Sequence, residues 1–171
     1  KSKFLYGLHE TKNEISKQDS AIIVEGYIDF LQLYQNDIKN VVAVSGTSLT
    51  DGHAHILKRL TDNILIAYDG DNAGRTAAIR AGFILLKNNL NPKIIQIPKN
   101  TDPDEWILKS GVEPFLNALE SSLDLINFCF MEFNDSPKQD HVATFINKIL
   151  EELVIIKDTV AIEINLKKLS D

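Results

Sequence analysis

Three carboxylates follow directly after short apolar runs of this sequence. Asp69 and Asp71, separated by one glycine, come after residues 64–68, and Glu25 comes after residues 21–24. Carboxylates about 5 Å apart repel one another by about 3 kcal/mol per pair at an effective dielectric constant of about 20. A divalent cation offsets this cost, and Mg²⁺ typically takes a few carboxylates together with substrate phosphates. The spacing therefore indicates a magnesium site.

A simpler interpretation is that each aspartate caps a helix. Asp is a favoured N-cap residue, and Gly70 would then only turn the chain between Asp69 and Asp71. The pairing of Asp-Gly-Asp after one apolar run with Glu-Gly after another favours the metal site.

The elements that would position these carboxylates are four runs rich in β-branched residues. They are residues 21–24, 41–44, 64–68 and 93–97. The runs are almost continuously apolar, which is typical of strands covered on both faces. Segments with helical spacing separate them, so we predict right-handed crossovers and an α/β fold, a Rossmann-like parallel sheet sandwiched by helices. Ligands of such sheets bind at the carboxyl ends of the strands, where the three carboxylates lie.

The charge and the periodicity both change after residue 110. Residues 1–110 contain 13 basic and 13 acidic side chains, whereas residues 111–171 contain 5 basic and 11 acidic ones. Amphipathic patterns predict helices over residues 112–121, 123–134, 138–156 and 158–170. We therefore predict a lead-in segment (1–20), an α/β domain (21–110) and a small helical subdomain (111–171).

The remaining composition narrows the class of protein. A single cysteine, Cys129, excludes a disulfide framework and a cysteine-based zinc site within these residues. The single cysteine points to the cytoplasm, and no apolar run approaches the length of a membrane span, so we expect a cytoplasmic protein without membrane contact. The sequence starts at Lys1 and its single methionine is Met131, from which we expect a piece of a longer protein.

Four motifs resemble one known family. The segments "IIVEGYIDFL", "AVSGTSLT", "LIAYDGDNAGRTAA" and "PKNTDPDEWI" occur in the order and spacing of the TOPRIM domain, and together they resemble bacterial replicative DNA primases of the DnaG type. The opening "KSKFLYGLHE" is similar to the segment that leads into TOPRIM in those primases. The resemblance is strong over residues 1–110 and weak over the helical remainder.

The resemblance implies a Mg²⁺-dependent nucleotidyltransferase, for which Mn²⁺ can substitute. It would make RNA primers from ribonucleoside triphosphates on a single-stranded DNA template. By the same resemblance Glu25, Asp69 and Asp71 would be catalytic metal ligands, and Asp29, Asp102 and Asp104 would extend the acidic cluster. From the residues alone, Asp29 can equally be a solvated acid in the first turn of a helix. Asp102 can equally be a helix N-cap ahead of Pro103.

The resemblance also implies contacts to nucleotide or nucleic acid from six residues: Lys1, Lys3, Gly46, Thr47, Arg75 and Lys99. For Gly46 and Thr47 the alternative is a purely structural turn. For Arg75 and Lys99 it is solvated surface.

The implied partners are a replicative helicase, contacted through a C-terminal region outside this sequence, and single-stranded DNA-binding protein at the replication fork. We expect a monomer, a zinc site located outside these residues, and weak activity of this piece alone. Two other classes of protein stay open: another TOPRIM phosphotransfer enzyme such as a metal-dependent nuclease, and a non-catalytic receiver-like or scaffold module.

Overall fold

The computed structural model describes residues 3–134, 142–156 and 159–170, and they form a sheet with helices on both faces. The strands are β1 (Ala21–Val24), β2 (Val41–Ala43), β3 (Asn63–Ala67), β4 (Asn91–Ile94) and β5 (Leu123–Asp124). The helices are α1 (Leu8–Gln18), α2 (Tyr27–Gln35), α3 (Asp51–Leu57), α4 (Asn72–Lys87), α5 (Pro103–Ser110), α6 (Glu113–Glu120), α7 (Leu125–Asn134), α8 (Val142–Val154) and α9 (Thr159–Ser170).

The sheet has the strand order β2-β1-β3-β4-β5. Strands β1 to β4 are parallel, with Ile22 opposite both Val41 and Leu65. The predicted α/β fold is confirmed, and a parallel strand occurs in each of the four predicted runs, although the fourth is Asn91–Ile94 and overlaps the predicted range 93–97 only at its end.

The sheet is nevertheless mixed, because β5 joins β4 in the antiparallel direction. Residues 123 and 124 were predicted as the start of a helix, and this boundary is wrong. Leu123 and Asp124 pair with β4, and the Asp124 carboxylate accepts the N–H groups of Ile126 and Asn127 at 3.1 and 3.2 Å. This capping starts α7 at Leu125.

The continuous apolar character of the strands has a simple structural cause. Successive side chains of a strand point to opposite faces of the sheet. Ile23 packs into a core cluster with residues of α3, α4 and α7, whereas Ile22 packs into a second cluster with residues of α2, α5 and α6. Both residues are fully buried, so every position of β1 has to be apolar.

Of the helices after residue 110, α7 and α8 contact α4, whereas α6 packs against α5 and α9 packs against α7 and α8. A Cβ atom at Gly82 would lie 2.6 Å from Leu125 Cδ1, so the glycine lets α7 approach α4 closely. Lys87 of α4 forms an ion pair with Glu152 of α8 at 2.9 Å. Helices occur in all four predicted ranges, although residues 138–141 and 158 of those ranges lie outside the described residues. The division at residues 20 and 110 stays a prediction.

The lead-in segment touches the sheet beside β2. Tyr6 and Ala43 exchange two backbone hydrogen bonds of 2.8 and 3.1 Å in an isolated antiparallel bridge. The Tyr6 ring also meets Phe30 of α2 edge-on, with ring centroids 5.0 Å apart. Among the described residues, no helix is both long and apolar enough to cross a membrane.

Candidate functional site

A cavity of about 700 Å³ opens at the carboxyl ends of β1, β2 and β3. The carboxylates that line it come from four places in the chain: Glu25 after β1, Asp29 on α2, Asp69 after β3, and Asp102 and Asp104 at the start of α5. Gly46 and Thr47, which follow β2, line the same cavity. The parallel sheet therefore gathers residues that are far apart in sequence at one edge.

Asp29, Asp102 and Asp104 form the tightest carboxylate group in the described part of the chain. One oxygen from each lies within 4.8 Å of the others. Asp29 is only 6% exposed, and its two oxygens accept the N–H groups of Gly26 at 3.0 Å and Asp104 at 3.3 Å. Asp29 is therefore not a solvated acid: it links the start of α2 to the start of α5.

Asp102 satisfies both interpretations offered by the sequence. It is the N-cap of α5, where one carboxylate oxygen accepts the N–H of Glu105 at 2.8 Å and Pro103 is the first helical residue. It also belongs to the carboxylate group with Asp29 and Asp104. Because a cap uses one oxygen, the other is available to a ligand.

The loop that carries Asp69 and Asp71 is held against the loop before α5. The Gly70 N–H donates to Thr101 O at 2.8 Å, and Gly70 O accepts from Asn100 N–H at 3.2 Å. A Cβ atom at Gly70 would lie 1.9 Å from Pro98 O, so this approach requires glycine. Asn100 has φ 57°, a left-handed conformation that asparagine adopts more readily than other non-glycine residues. This packing brings Asp69 close to Asp102.

Asp71 makes the contacts of a helix cap. Its side chain is the N-cap of α4 and accepts the Gly74 N–H at 2.7 Å. It is exposed and is absent from the residues that line the cavity. Burial raises the pKa of both Glu25 and Asp69, and the charge of Asp71 adds to both shifts.

Two polar atoms beside the cavity are buried and have no hydrogen-bond partner among the described residues. One is Oε1 of Glu25 and the other is the hydroxyl of Tyr68, a residue that is 5% exposed. Burial raises the pKa of Glu25, and the nearby backbone N–H of Asp69 offsets part of that rise. Buried polar atoms without partners are rare in folded proteins, and they mark positions where a ligand or an ion can bind.

The electrostatics of the site fit a divalent cation. Burial raises the pKa of Asp29 to about 6, and burial followed by the neighbouring Asp102 raises the pKa of Asp104 to about 6. Burial also raises the pKa of Glu25 and Asp69, and the charges of neighbouring carboxylates add to both shifts. These groups resist ionising together unless positive charge compensates them. Mg²⁺ and Mn²⁺ bind hard oxygen ligands, which these carboxylates supply, and Oε1 of Glu25 has no protein partner in the part of the chain that the structure describes.

The residues predicted to contact nucleotide lie in different places. Gly46 is exposed with φ 74°, and Thr47 donates its hydroxyl to Val44 O at 3.4 Å, so both residues also shape the turn after β2. Lys3 is exposed and is not among the cavity-lining residues. Lys1 lies outside the described residues.

Arg75 and Lys99 line a second, smaller cavity of about 270 Å³, which Asp69 and Gly70 also border. Lys99 is exposed. Arg75 is mostly buried and is engaged by the protein: its Nε donates to Gly70 O at 3.0 Å, and its guanidinium forms an ion pair with Glu132 of α7. Arg75 is therefore not solvated surface.

Sequence reasoning missed two residues near the site, Tyr68 and Glu132. A signal for Glu132 was present, because it is the single charged residue in the otherwise apolar α7. Tyr68 gave no comparable signal in the sequence, since a tyrosine at the end of a buried strand is an ordinary core residue.

Comparisons with known proteins give a consistent assignment. The model of the Toprim-like family matches residues 22–107. The DNA primase of Clostridium acetobutylicum is 40% identical over 174 residues, which cover 98% of this chain and 28% of that protein. The structure of the Aquifex aeolicus primase (zinc-binding and RNA polymerase domains) matches with a TM-score of 0.83 and 33% identity, over 96% of this chain and 40% of that one. A DnaG primase catalytic domain bound to single-stranded DNA matches with a TM-score of 0.81 and 29% identity, over 99% and 56% of the two chains.

This chain thus spans little more than a quarter of the length of the curated relative from Clostridium, 28%. The family implies the use of a divalent metal, in agreement with the acidic cavity. By the family match, the relatives and the shared fold, the chain belongs to the Toprim-like family and, within it, to the bacterial DnaG-type DNA primases.

Proposed function

We propose that this chain carries the metal-binding edge of an RNA polymerase that makes primers for DNA replication. The reaction is the transfer of nucleotides from ribonucleoside triphosphates to a growing RNA on a single-stranded DNA template. The observation that supports it best is the cavity in which Glu25, Asp69 and the Asp29 group meet, in a chain of the primase family. Membership of the family makes a nuclease or a receiver-like module the weaker interpretation.

The ligands of the metal follow from the chemistry of the cavity. Glu25, Asp69 and Asp71 are the proposed catalytic ligands, and Asp29, Asp102 and Asp104 complete the acidic group. Magnesium is the proposed ion and manganese its substitute, because each ligand is a hard carboxylate oxygen. When bound, the ion would neutralise charge on the reacting phosphate and favour ionisation of the attacking hydroxyl.

The chain's own groups have separate tasks in this proposal. The Asp29 carboxylate, which accepts N–H groups at the starts of α2 and α5, holds the two helix ends together. The exposed turn at Gly46 and Thr47 and the side chains of Lys99 and Lys3 would contact the phosphates. Arg75 would contribute through its bond to Gly70 O rather than by touching phosphate.

The partners and the location of the whole protein are also proposals. The related catalytic domain bound to single-stranded DNA supports a DNA template for this chain. A helicase and single-stranded DNA-binding protein would act through other parts of the full-length protein, in the cytoplasm at the replication fork. The chain itself would act as a monomer.

The test is a residue-resolved NMR titration with Mn²⁺, with and without a ribonucleoside triphosphate. We expect signals around Glu25 and Asp69 to broaden first and the apparent affinity to rise when nucleotide is present. Glu25→Gln and Asp69→Asn should each weaken Mn²⁺ binding by at least about tenfold, because the loss of even an outer-shell partner costs about that much.

The matched control is Asp62→Asn. Asp62 precedes the amino end of β3, where it forms an ion pair with Lys58 at 2.7 Å, and its loss should leave Mn²⁺ affinity unchanged. Diffuse broadening that spares Glu25 and Asp69 in the unsubstituted chain would refute the metal site.

A further inference from the structure

A chain of contacts connects the acidic loop to the helices that follow residue 110. Gly70 O, between Asp69 and Asp71, accepts the Nε–H of Arg75 at 3.0 Å. The same guanidinium donates through its Nη1 to Oε1 of Glu132, a residue of α7. Glu132 lies 57 residues beyond Arg75 in the sequence, so the contact depends on how α7 packs against α4.

These contacts are stronger than ordinary surface ion pairs. The side chains of Arg75 and Glu132 are 14% and 21% exposed, so solvent and salt screen their charges only partly. Hydrogen bonds from a charged donor are about twice as strong as neutral ones. Gly70 O also accepts the Asn100 N–H at 3.2 Å, so the arginine and the loop before α5 hold the same carbonyl.

The peptide unit whose carbonyl accepts from Arg75 and Asn100 lies between Asp69 and Asp71, so its orientation determines where the two carboxylates point. Gly70 O belongs to the peptide unit that joins Gly70 to Asp71, and Asp69 is the residue directly before Gly70. If the guanidinium turns away, this peptide loses one of its two donors. Because Gly70 lies directly between Asp69 and Asp71, a rotation of this peptide would move both carboxylates.

We infer that Arg75 and Glu132 are positioning residues for the metal site: Glu132 orients the guanidinium of Arg75, and Arg75 fixes the loop that carries Asp69 and Asp71. The part that concerns metal affinity rests on the proposed function. The helical segment then does more than cover one face of the sheet, because one of its side chains determines how well the acidic loop is ordered.

The experiment measures two properties of the 171-residue chain. The first is the ¹⁵N and ¹H chemical shift of the Asp71 amide, which belongs to the same peptide unit as Gly70 O and needs no metal. The second is the Mn²⁺ dissociation constant from electron paramagnetic resonance. The variants are Glu132→Ala, Glu132→Gln, Arg75→Ala and Arg75→Ala/Glu132→Ala, with Glu120→Ala, an exposed glutamate on α6, as the matched control.

We expect Glu132→Ala and Arg75→Ala to shift the Asp71 amide and to weaken Mn²⁺ binding by about tenfold, the lower end of the range for partners that orient metal ligands from outside. The double variant should bind Mn²⁺ no more weakly than Arg75→Ala, because Glu132 acts through the arginine. Glu132→Gln keeps an acceptor for the guanidinium and should retain most of the affinity. Glu120→Ala should change neither property.

A lower free energy of unfolding in Glu132→Ala, together with an unchanged Asp71 amide and an unchanged Mn²⁺ constant, would overturn the inference, since Glu132 would then act on packing alone. Should Glu132→Ala fail to fold, the same two readouts on Glu132→Gln and Arg75→Ala decide. If the unsubstituted chain binds no Mn²⁺, the proposed function fails, and the Asp71 amide shift alone decides whether the coupling exists.

Discussion

The hydroxyl of Tyr68 is buried beside the Glu25 carboxylate and borders both cavities at the end of β3. Burial, and then the charge of Glu25, raise the pKa of Tyr68, so the hydroxyl keeps its proton and remains a donor. A buried donor without a protein partner costs free energy, and a bound ligand or a water molecule on the metal would accept from it.

Replacing this tyrosine by phenylalanine separates stability from binding. We expect Tyr68→Phe to leave the free energy of unfolding unchanged or to raise it by about 1 kcal/mol, because an unpartnered hydroxyl is removed. Affinity for Mn²⁺ with nucleotide should fall. Denaturant unfolding and Mn²⁺ titration measure the two effects, and Tyr34→Phe, which does not line the cavity, serves as the control. A loss of stability with unchanged binding would contradict this role.

The raised pKa values of Asp29 and Asp104 predict a dependence on pH. Both are raised to about 6 by burial, above the ordinary value for aspartate, so the folded chain binds more protons than the unfolded chain between about pH 4 and 6. The stability from these two groups is therefore fully present at low pH and is lost as the pH rises through this range.

The measurement is the free energy of unfolding of the metal-free chain between pH 4 and 7, compared with that of Asp29→Asn. The difference, unsubstituted minus variant, should fall as the pH rises. Mn²⁺ displaces these protons, so its affinity should increase by at least about tenfold from pH 5 to pH 7. An affinity that is constant over this range would show that the two carboxyl groups do not hold the ion.

Single residues also show how far sequence reasoning reaches. It placed Glu25, Asp69 and Asp71 at one edge because they follow apolar runs. In the structure Glu25 and Asp69 line the cavity there, whereas Asp71 caps α4 outside its lining. Sequence reasoning did not foresee the burial of Asp29, which depends on the start of α5 folding over it. The Arg75–Glu132 pair was equally out of reach, because no local pattern reports a contact across 57 residues.

At the scale of elements, the prediction of strands was right where burial shaped the composition and missed the strand that depends on pairing alone. Strands β1 and β2 are buried at every position and β3 at most of its positions, and their apolar composition reports this directly. Strand β4 has the sequence Asn-Pro-Lys-Ile with alternate positions exposed, so composition revealed only its end. Strand β5 has two residues and exists only because it pairs with Lys93 and Ile94. A strand held by its partner rather than by its own composition leaves no pattern in the sequence.

The contact between the Asp69–Asp71 loop and the loop before α5 can be tested at Gly70. In Gly70→Ala the new Cβ would meet Pro98 O at 1.9 Å, which forces the two loops apart. We expect a loss of about 2 to 3 kcal/mol in the free energy of unfolding and a parallel loss of Mn²⁺ binding. Asn72→Ala, at the exposed first residue of α4, is the control and should be nearly neutral. Unchanged stability of Gly70→Ala would show that the loops separate without cost.

At the scale of the whole molecule, the balance of charge limits what this chain does alone. Residues 1–110 carry equal numbers of basic and acidic side chains, 13 of each. Affinity for DNA comes mainly from Lys and Arg that neutralise phosphates, so this surface should bind template weakly.

We therefore expect the 171-residue chain to make little or no primer from ribonucleoside triphosphates on single-stranded DNA. Extending it to the length of its primase relatives should restore synthesis, because this chain spans only 28% of the Clostridium relative and residues 1–110 carry no excess of cations to hold the template. Gel analysis of labelled RNA measures the product, and Asp69→Asn in the extended chain is the negative control. Efficient synthesis by the 171 residues alone would contradict the expectation.

The two short antiparallel pairings at the borders of the sheet have a consequence for solubility. Tyr6 covers the outer side of β2 at Ala43, and β5 covers the outer side of β4 at Lys93 and Ile94. Without them, β2 and β4 would present unpaired backbone N–H and C=O groups to which strands of other molecules could add. The segments before residue 21 and after residue 110 thus protect the two sheet edges from aggregation. Trimming the chain to its central domain would expose both edges at once.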